Sequence, residues 1–247
     1  MTRVWSESDL RAFARDGYVL ARNAVPEPAR ATALARIDAL LADRPPAPGH
    51  TGHHFYFEAA VDEPELLALL TGTASWELAG ALTRPRRLQV PSQVQVALTF
   101  PPYSHRPGMG HIDGLSQPEP GGRPGTFTML AGIVLSDQRR DDMGNLWVWP
   151  GSHHRLAAHL ASEGPEALVA SGGYPMVAYE PPRQVHAEPG DVLFASYLLS
   201  HNIGGNTSDV LRKTVYYRLK VDGHDATWRD YVRDELYEFD PVRAAAG

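Results

Sequence analysis

The stretch EPGDVLFASYLLSHNIGGNTSDVLRKTVYYRLKV (residues 188–221) carries the pattern that decides the fold. A Pro-Gly-Asp turn leads into the apolar run 191–197, a Gly- and Asn-rich segment follows, and the run 212–221 then alternates in polarity. Short β-forming runs separated by turn residues are typical of antiparallel strands. If residues 201–211 form a bend, the second strand returns antiparallel to the first, and His201 and Arg212 point toward one pocket.

The rest of the chain divides into a helical part and a β-rich part. Capped or amphipathic patterns predict helices over 6–15, 27–43 and 62–82, with a short strand at 18–20. After residue 85, further β-forming runs occur at 87–100, 126–135, 145–149 and 184–188. This order predicts a mostly β fold with packed helices, in which N-terminal helices lie on an antiparallel barrel or sandwich.

Composition narrows the classes of protein and site. The chain has 247 residues, a formal net charge of −6 and no cysteine. Disulfides and thiolate metal sites are therefore excluded, and the acidic balance argues against nucleic acid as a partner. The N-terminal residues lack an apolar signal region, and no apolar run is long enough to cross a bilayer. We expect a cytoplasmic protein with a small-molecule substrate; nothing in the sequence indicates an oligomeric state.

Three motifs point to a metal. In a strand-like segment, His111 and Asp113 of His-Ile-Asp point to the same side, so both can reach one ion. With His201 they supply two imidazoles and one carboxylate, a set that occupies one face of an octahedral Fe(II) and leaves the other open. Arg212 can clamp a carboxylate of a co-substrate bound there. The combination suggests iron- and 2-oxoglutarate-dependent oxygen chemistry.

Four segments carry a resemblance to a known family. They are LRAFARDGYVLARNAVP (10–26), HID (111–113), MGNLWVWPGSHH (143–154) and EPGDVLFASYLLSHNIGGNTSDVLR (188–212). In order and spacing the chain resembles the phytanoyl-CoA dioxygenase family of Fe(II)/2-oxoglutarate oxygenases. The one small departure is Met-Gly-Asn at 143–145, where Asn-Gly or a similar pair is common in that family.

The resemblance implies a double-stranded β-helix, a jelly-roll or cupin-like core with the metal at one mouth. It implies one domain over 1–247, with a helical part at about 1–85, the jelly-roll core at about 86–222 and a C-terminal tail at 223–247. His111, Asp113 and His201 would bind Fe(II), and Arg212 would bind the distal carboxylate of the co-substrate 2-oxoglutarate, with O2 as oxidant. Further candidates for contact with 2-oxoglutarate share strand faces: Gln95 first, then Gln93, Thr99, Thr126 and Thr128.

The expected reaction is hydroxylation of a small molecule of bacterial secondary metabolism, with succinate and CO2 as co-products. The retained Asp113 favours hydroxylation over halogenation, whereas desaturation, cyclisation and epoxidation use the same ligands. The substrate-contact candidates are Tyr103, His105, Arg106, Trp147, Trp149, and Tyr197 or Tyr216. The aromatic- and histidine-rich segment 53–57 is a secondary candidate for the pocket entrance.

Other interpretations stay open. His186-Ala187-Glu188 also spaces a histidine and a carboxylate for a metal, but the turn that follows explains it without one. His153 and His154 follow Ser152, which is interpreted as the cap of a helix at 153–162, so their role is read as structural. A zinc hydrolase or a jelly-roll binding protein without oxygen chemistry would use the same three ligands. Arg212 favours the oxygenase, because a hydrolase does not need it.

Overall fold

The structure, a computed structural model, describes residues 4–115, 123–170 and 177–247. Its strands are β1 (Tyr18–Ala21), β2 (Gly52–Ala59), β3 (Gln93–Phe100), β4 (Met129–Val134), β5 (Leu146–Val148), β6 (Arg183–Gln184), β7 (Val192–Ser196), β8 (His201–Ile203) and β9 (Arg212–Leu219). Its helices are α1 (Glu7–Asp16), α2 (Glu27–Asp43), α3 (Pro64–Thr71), α4 (Ala74–Thr83), α5 (Ser152–Glu163), α6 (Ala167–Ala170), α7 (His224–Tyr231) and α8 (Asp240–Ala246).

Two antiparallel sheets form the β part of the fold, which confirms the predicted mostly β class. The major sheet has the order β1-β7-β4-β9-β3-β2, and the minor sheet has the order β6-β5-β8. Residues of both sheets line a narrow space between the sheets, for example Gly132 and Tyr216 from the major sheet and Leu146 from the minor sheet. The sheets therefore face each other, and side chains that point inward from either sheet meet between them.

Strand register sets which side chains meet inside. In the major sheet Gln95 on β3 lies opposite Tyr216 on β9, which lies opposite Gly132 on β4. Thr99 on β3 lies opposite both His53 on β2 and Arg212 on β9. Because side chains alternate along a strand, Arg212, Tyr216 and Arg218 all share one face of β9.

Local capping signals explain where the N-terminal helices begin and end. Ser6 and Asp9 form the predicted capping box of α1, which ends at Gly17 in the left-handed conformation. α2 spans the predicted residues, Glu27–Asp43. The single helix expected over 62–82 is instead two helices, because Thr73 caps a new helix by accepting a hydrogen bond from the Ser75 backbone N–H.

Several other elements differ from the expectation. Residues 52–59 form a strand that pairs with all of β3, and residues 201–203 form a short strand in the minor sheet. The segment 223–247, expected as a C-terminal tail, contains α7 and α8 and buries Tyr231, Phe239 and Val242. Ser152 does not cap α5: Gly151 is the N-cap, and the Ser152 hydroxyl accepts a hydrogen bond from the Ser200 backbone N–H.

One cluster of buried apolar side chains extends from Phe13 in α1 to Val242 in α8. The rings of Phe13 and Phe239 lie 4.9 Å apart, which packs the two ends of the chain against each other. Within the described residues, no single helix has both the length and the apolar character to cross a membrane; α3 and α4 satisfy the criteria only as a pair bent by 58°.

Candidate metal centre

The two candidate histidine ligands are neighbours across a two-residue antiparallel bridge. His111 and His201 exchange backbone hydrogen bonds, each N–H donating to the other's carbonyl at 2.9 Å. The His201 Nδ1 lies 3.0 Å from the Leu199 carbonyl, which fixes the ring with Nε2 directed toward His111 and Asp113. A backbone carbonyl on the other ring nitrogen is the usual support of a metal-binding histidine.

His111, Asp113 and His201 offer three donor atoms that lie within 4.8 Å of one another. Asp113 Oδ1 is 3.6 Å from His111 Nε2 and 3.8 Å from His201 Nε2. Within 4–115, 123–170 and 177–247 this is the one group of at least three His or carboxylate side chains arranged for a metal. Two imidazole nitrogens and one carboxylate oxygen match the ligand set of a non-haem Fe(II) site.

The surroundings keep Asp113 and His201 in the forms that bind a metal. Burial raises the pKa of Asp113, but the hydrogen bond from His111 and the charges of His201 and Arg218 outweigh it and hold the pKa well below its usual range. Burial lowers the pKa of His201 to about 4. A carboxylate and a neutral imidazole are the protonation states that metal coordination requires.

Arg218 grips the far side of Asp113. Its Nε and Nη2 donate to Asp113 Oδ2 at 3.0 and 2.7 Å. Its Nη1 donates to Gln93 Oε1 at 3.0 Å, and Nη2 also donates to Gln95 Oε1 at 3.2 Å. Sequence reasoning missed Arg218, although its position six residues after Arg212 places both on one face of the strand.

Arg212 is buried, with 1% of its surface exposed. Nη1 donates to the Ala97 carbonyl at 3.0 Å and Nη2 donates to the Tyr216 hydroxyl at 2.7 Å, while Nε has no hydrogen-bond partner among the described residues. None of the ion pairs within the described ranges includes Arg212. A buried guanidinium without a carboxylate partner is suited to an anionic ligand, because its charge is otherwise uncompensated.

Two cavities meet at the triad. The smaller, about 110 Å³, is lined by His53, Leu130, Leu146, His201 and Tyr216. The larger, about 730 Å³, is lined by Phe57, Gln93, Phe127, Arg218 and Lys220. His111, Asp113 and Gln95 line both. The small cavity is on the Arg212 side of the triad, because Tyr216 bonds to Arg212 and lines it.

The remaining candidates for 2-oxoglutarate contact separate into two groups. Gln93 and Gln95 lie at the cavities, and buried Thr99 lies 3.2 Å from His53 Nδ1 through its hydroxyl. Thr126 and Thr128 instead point into a separate buried cluster. The Thr126 hydroxyl lies 3.0 Å from His224 Nε2, and the Thr128 hydroxyl donates to Glu238 at 2.5 Å.

None of the five principal substrate candidates is among the residues that line the two cavities. Tyr103 and His105 stack on each other 5.5 Å apart and contact the His53 ring, and exposed Arg106 pairs with Asp142. Trp147 packs beside Gly204, and Tyr197 is buried against Phe127. Of the other residues named from the sequence, Tyr216 lines the small cavity, whereas Trp149 packs against Gly110.

Segment 53–57 is the part of the sequence that reaches the site most directly. His53 and Phe55 line the small cavity, and Phe57 lines the large one. Burial, followed by the charges of Arg212 and His105, lowers the pKa of His53 to about 4. A neutral His53 therefore lies beside the Arg212 guanidinium at neutral pH.

The rival histidines lie elsewhere. His186 Nε2 forms an exposed pair with Asp141 at 2.6 Å. The His153 Nε2 lies 3.0 Å from the Ala14 carbonyl at the end of α1, and His154 pairs with Glu235. Each of these histidines has a partner that explains its position without a metal.

Comparison with known proteins supports the same class of protein. The model of the phytanoyl-CoA dioxygenase family matches residues 13–214. The solved structure of the alpha-ketoglutarate-dependent carbocyclase SnoK from nogalamycin biosynthesis is 21% identical, with a TM-score of 0.62 over 89% of this chain and 85% of that one. HygX from Streptomyces hygroscopicus, with nickel and 2-oxoglutarate bound, is 14% identical, with a TM-score of 0.59 over 88% of each chain.

A third structure, EctD from S. alaskensis with 2-oxoglutarate and 5-hydroxyectoine, is 18% identical, with a TM-score of 0.58 over 87% of this chain and 76% of that one. No match was found among curated proteins. At these identities the solved structures establish the jelly-roll fold, and the family match over most of the chain establishes the family. The protein belongs to the phytanoyl-CoA dioxygenase family.

Proposed function

We propose that this protein is an Fe(II)- and 2-oxoglutarate-dependent oxygenase that hydroxylates a small molecule. The observation that carries the proposal is the occurrence of two features at the small cavity, which the triad lines and where Tyr216, another lining residue, accepts a hydrogen bond from Arg212. One is the group of three donor atoms from His111, Asp113 and His201, and the other is buried Arg212, whose Nε has no partner among the described residues. A metal site and a buried guanidinium behind the wall of the same cavity suit a ligand such as 2-oxoglutarate.

The donor set fits iron, and the Arg212 side fits a dicarboxylate. His111, Asp113 and His201 would hold the metal, and Arg212, with the Tyr216 hydroxyl beside it, would bind the distal carboxylate. When bound, iron and 2-oxoglutarate supply the oxidation of a substrate C–H bond by O2, with succinate and CO2 as co-products. The protein's own part is orientation and the exclusion of water: the two sheets enclose Arg212 and His201 almost completely.

The large cavity is the proposed substrate site. Its volume of about 730 Å³ is in the usual range for small-molecule sites, and it reaches the triad through His111 and Asp113. Phe57 and Phe127 give it an apolar wall, and Gln93 and Gln95 offer amides. Structural neighbours include SnoK from nogalamycin biosynthesis and HygX with hygromycin B bound. These neighbours support a substrate from bacterial secondary metabolism.

Hydroxylation is the proposed outcome because Asp113 would serve as the third protein ligand. The neighbours include a carbocyclase and an epimerase, so the same fold also hosts other oxidations. The alternative of a zinc hydrolase, or of a binding protein without oxygen chemistry, is disfavoured by Arg212. Hydrolysis does not need a buried guanidinium of that kind, whereas the binding of 2-oxoglutarate does.

The decisive experiment is an anaerobic titration of metal-free protein with Fe(II) and then 2-oxoglutarate. We expect a weak visible charge-transfer band that needs both additions. Arg212→Lys keeps the charge but loses the planar fork, and Arg212→Met loses both. We expect the 2-oxoglutarate Kd to rise moderately in the first variant and about 30- to 1000-fold in the second, with little change in Fe(II) affinity.

Fe(II) binding without the band would favour the hydrolase or binding-protein reading. A band whose 2-oxoglutarate dependence is unchanged in Arg212→Met would assign the clamp to another residue. If the band appears as expected, succinate release identifies substrates. Hydroxylation then predicts one oxygen atom from labelled O2 in the organic product, whereas epimerisation or cyclisation leaves the product unlabelled.

A further inference from the structure

The two oxygens of Asp113 face different partners. Oδ1 is directed at His111 Nε2 and His201 Nε2, at 3.6 and 3.8 Å. Oδ2 is directed away from them and accepts two hydrogen bonds from Arg218, at 3.0 Å from Nε and 2.7 Å from Nη2. Arg218 therefore holds the carboxylate through Oδ2, and Oδ1 faces the two histidines.

Arg218 is itself held in place from several sides. The Gln93 and Gln95 side-chain carbonyls accept hydrogen bonds from its two terminal nitrogens, and the Phe127 ring centre lies 5.9 Å from its guanidinium carbon. Its side chain is only 28% exposed. Because the guanidinium is planar and these contacts come from β3 and from the segment before β4, its orientation is fixed.

We propose that Arg218 is a positioning residue that restricts Asp113 to binding the metal through Oδ1 alone. The inference rests on the proposed function, since it takes His111, Asp113 and His201 as the metal ligands. An aspartate can bind an ion through one oxygen or both. An octahedral ion has six coordination positions, and the three protein donors would occupy three of them. A 2-oxo acid and the oxidant would need the remaining positions, so a second Asp113 oxygen would compete with them for one.

The same contacts connect the metal ligand to the substrate cavity. Because the Gln93 and Gln95 carbonyl oxygens accept from Arg218, their amide NH2 groups are left to donate elsewhere, and both residues line the large cavity. Arg218 thus orients amide donors on the cavity wall and the metal-binding carboxylate at the same time. A substrate with hydroxyl or carbonyl oxygens suits donors presented in this way.

The direction in which metal affinity changes when Arg218 is removed separates an orienting role from a purely electrostatic one. A cation near a divalent metal repels it, so its removal should tighten metal binding if charge alone mattered. If Arg218 instead orients Asp113, its removal should weaken metal binding in spite of the lost repulsion. Substitutions of residues that orient metal ligands typically weaken binding about 10- to 100-fold.

The test is an anaerobic titration of metal-free protein with Co(II), followed by visible absorption. The variants are Arg218→Met, Arg218→Lys and the control Lys220→Met. Lys220 lines the same cavity as Arg218 and pairs with Asp225 at 2.9 Å. Its removal therefore deletes a nearby cation but keeps the hydrogen bonds from Arg218 to Asp113. Co(II) d–d bands change in intensity and position with the number and arrangement of ligands, a readout that loss of stability alone does not reproduce.

We expect Arg218→Met to raise the Co(II) Kd about 10- to 100-fold and to change the d–d spectrum. Arg218→Lys should recover part of the affinity, and Lys220→Met should leave Kd within about two-fold of wild type or lower it. A wild-type d–d spectrum in Arg218→Met, whatever its Kd, would overturn the proposal, because Asp113 would then bind the metal as it does in the wild-type protein. Failure of the wild-type protein to bind Co(II) would instead overturn the proposed function. Circular dichroism and the thermal midpoint check that each variant is folded.

Discussion

At the scale of single residues, two arginines on one face of β9 have opposite surroundings. Arg218 donates to the Asp113 carboxylate, whereas the hydrogen bonds of Arg212 among the described residues go only to the Ala97 carbonyl and the Tyr216 hydroxyl. A buried cation is stable only if its charge is compensated. Arg218 therefore suits the task of fixing a resident carboxylate, and Arg212 suits the binding of an incoming one.

Gly144 controls where the Arg212 side chain lies. Its φ is +78°, and a Cβ built there would lie 2.7 Å from Arg212 Cγ and 2.8 Å from Arg212 Cβ. The Gly144→Ala substitution should push Arg212 out of place and add about 1–2 kcal/mol of left-handed strain. We expect 2-oxoglutarate affinity to fall about 5- to 30-fold, with Fe(II) affinity nearly unchanged. The anaerobic charge-transfer titration measures both quantities.

The matched control for this substitution is Gly49→Ala. Gly49 also has a positive φ of +75°, but a Cβ there meets nothing within 4 Å. It should cost similar backbone strain and leave 2-oxoglutarate binding at the wild-type level. Equal 2-oxoglutarate affinity in the two variants would show that Gly144 does not act through Arg212.

Site residues could be predicted where they belong to a short motif, but not where they reach the site through contacts between distant parts of the sequence. His111, Asp113 and His201, which the structure brings together, belong to short motifs, so spacing and family resemblance were enough to group them. Arg218 and His53 reach the site through the register of β9 and β2 with β3, and register depends on pairings between distant residues. The predicted contacts Tyr103 and Arg106 lie in a loop, whose course no periodic pattern specifies.

At the scale of elements, local signals predicted helices better than strands. α1 has its capping box, and α2 has a proline in its first turn and the buried residues Ala33, Ile37 and Leu40 on one face, so their bounds could be predicted from the sequence itself. β8 has three residues, and β2 has an irregular burial pattern at the edge of the major sheet. Such strands are defined by their partners, and the sequence does not show these.

The C-terminal helices are joined to the β core by a buried polar cluster. His224 at the start of α7 lies 2.9 Å from Glu238 and 3.0 Å from the Thr126 hydroxyl, and Glu238 accepts a hydrogen bond from Thr128. His224 is 1% exposed and Glu238 is 0% exposed. This cluster explains why Thr126 and Thr128 point away from the candidate metal centre.

We expect Glu238→Ala to lower the free energy of unfolding by about 2–4 kcal/mol. The reason is that His224 and Thr128 would lose their shared acceptor inside the core. Asp234→Ala is the control, because it removes a pair with Arg243 whose side chains are 44% and 49% exposed. That change should cost no more than about 1 kcal/mol. Urea unfolding gives both values, and equal losses would contradict the structural role of the cluster.

At the scale of the whole molecule, the sequence indicated the fold class but not the order of the strands in the sheets. Helices followed by short strands indicated helices packed on a β core, and the family resemblance specified a jelly roll. The order β1-β7-β4-β9 joins strands from the first and last parts of the chain. Such pairings depend on the complete core, into which even the segment expected to be a tail contributes Phe239 and Val242.

The interior also contains histidines that must stay neutral. The pKa of His53, His153 and His201 is lowered to about 4, in each case chiefly by burial. In the unfolded chain these groups titrate near 6.5. Between these values the unfolded state binds more protons than the folded state, so stability falls as pH decreases through 6.5 and levels off near 4.

Variants of His153 and His154 test this effect one histidine at a time, because the two residues are adjacent and their pKa values are shifted in opposite directions. Burial lowers the pKa of His153, whereas the hydrogen bond to Glu235 raises that of His154. His153→Gln should reduce the loss of unfolding free energy between pH 7 and pH 5 by about 2 kcal/mol. His154 stabilises the fold when protonated, so His154→Gln should enlarge the loss. Urea unfolding at the two pH values measures both, and shifts of the same sign would contradict the assignment.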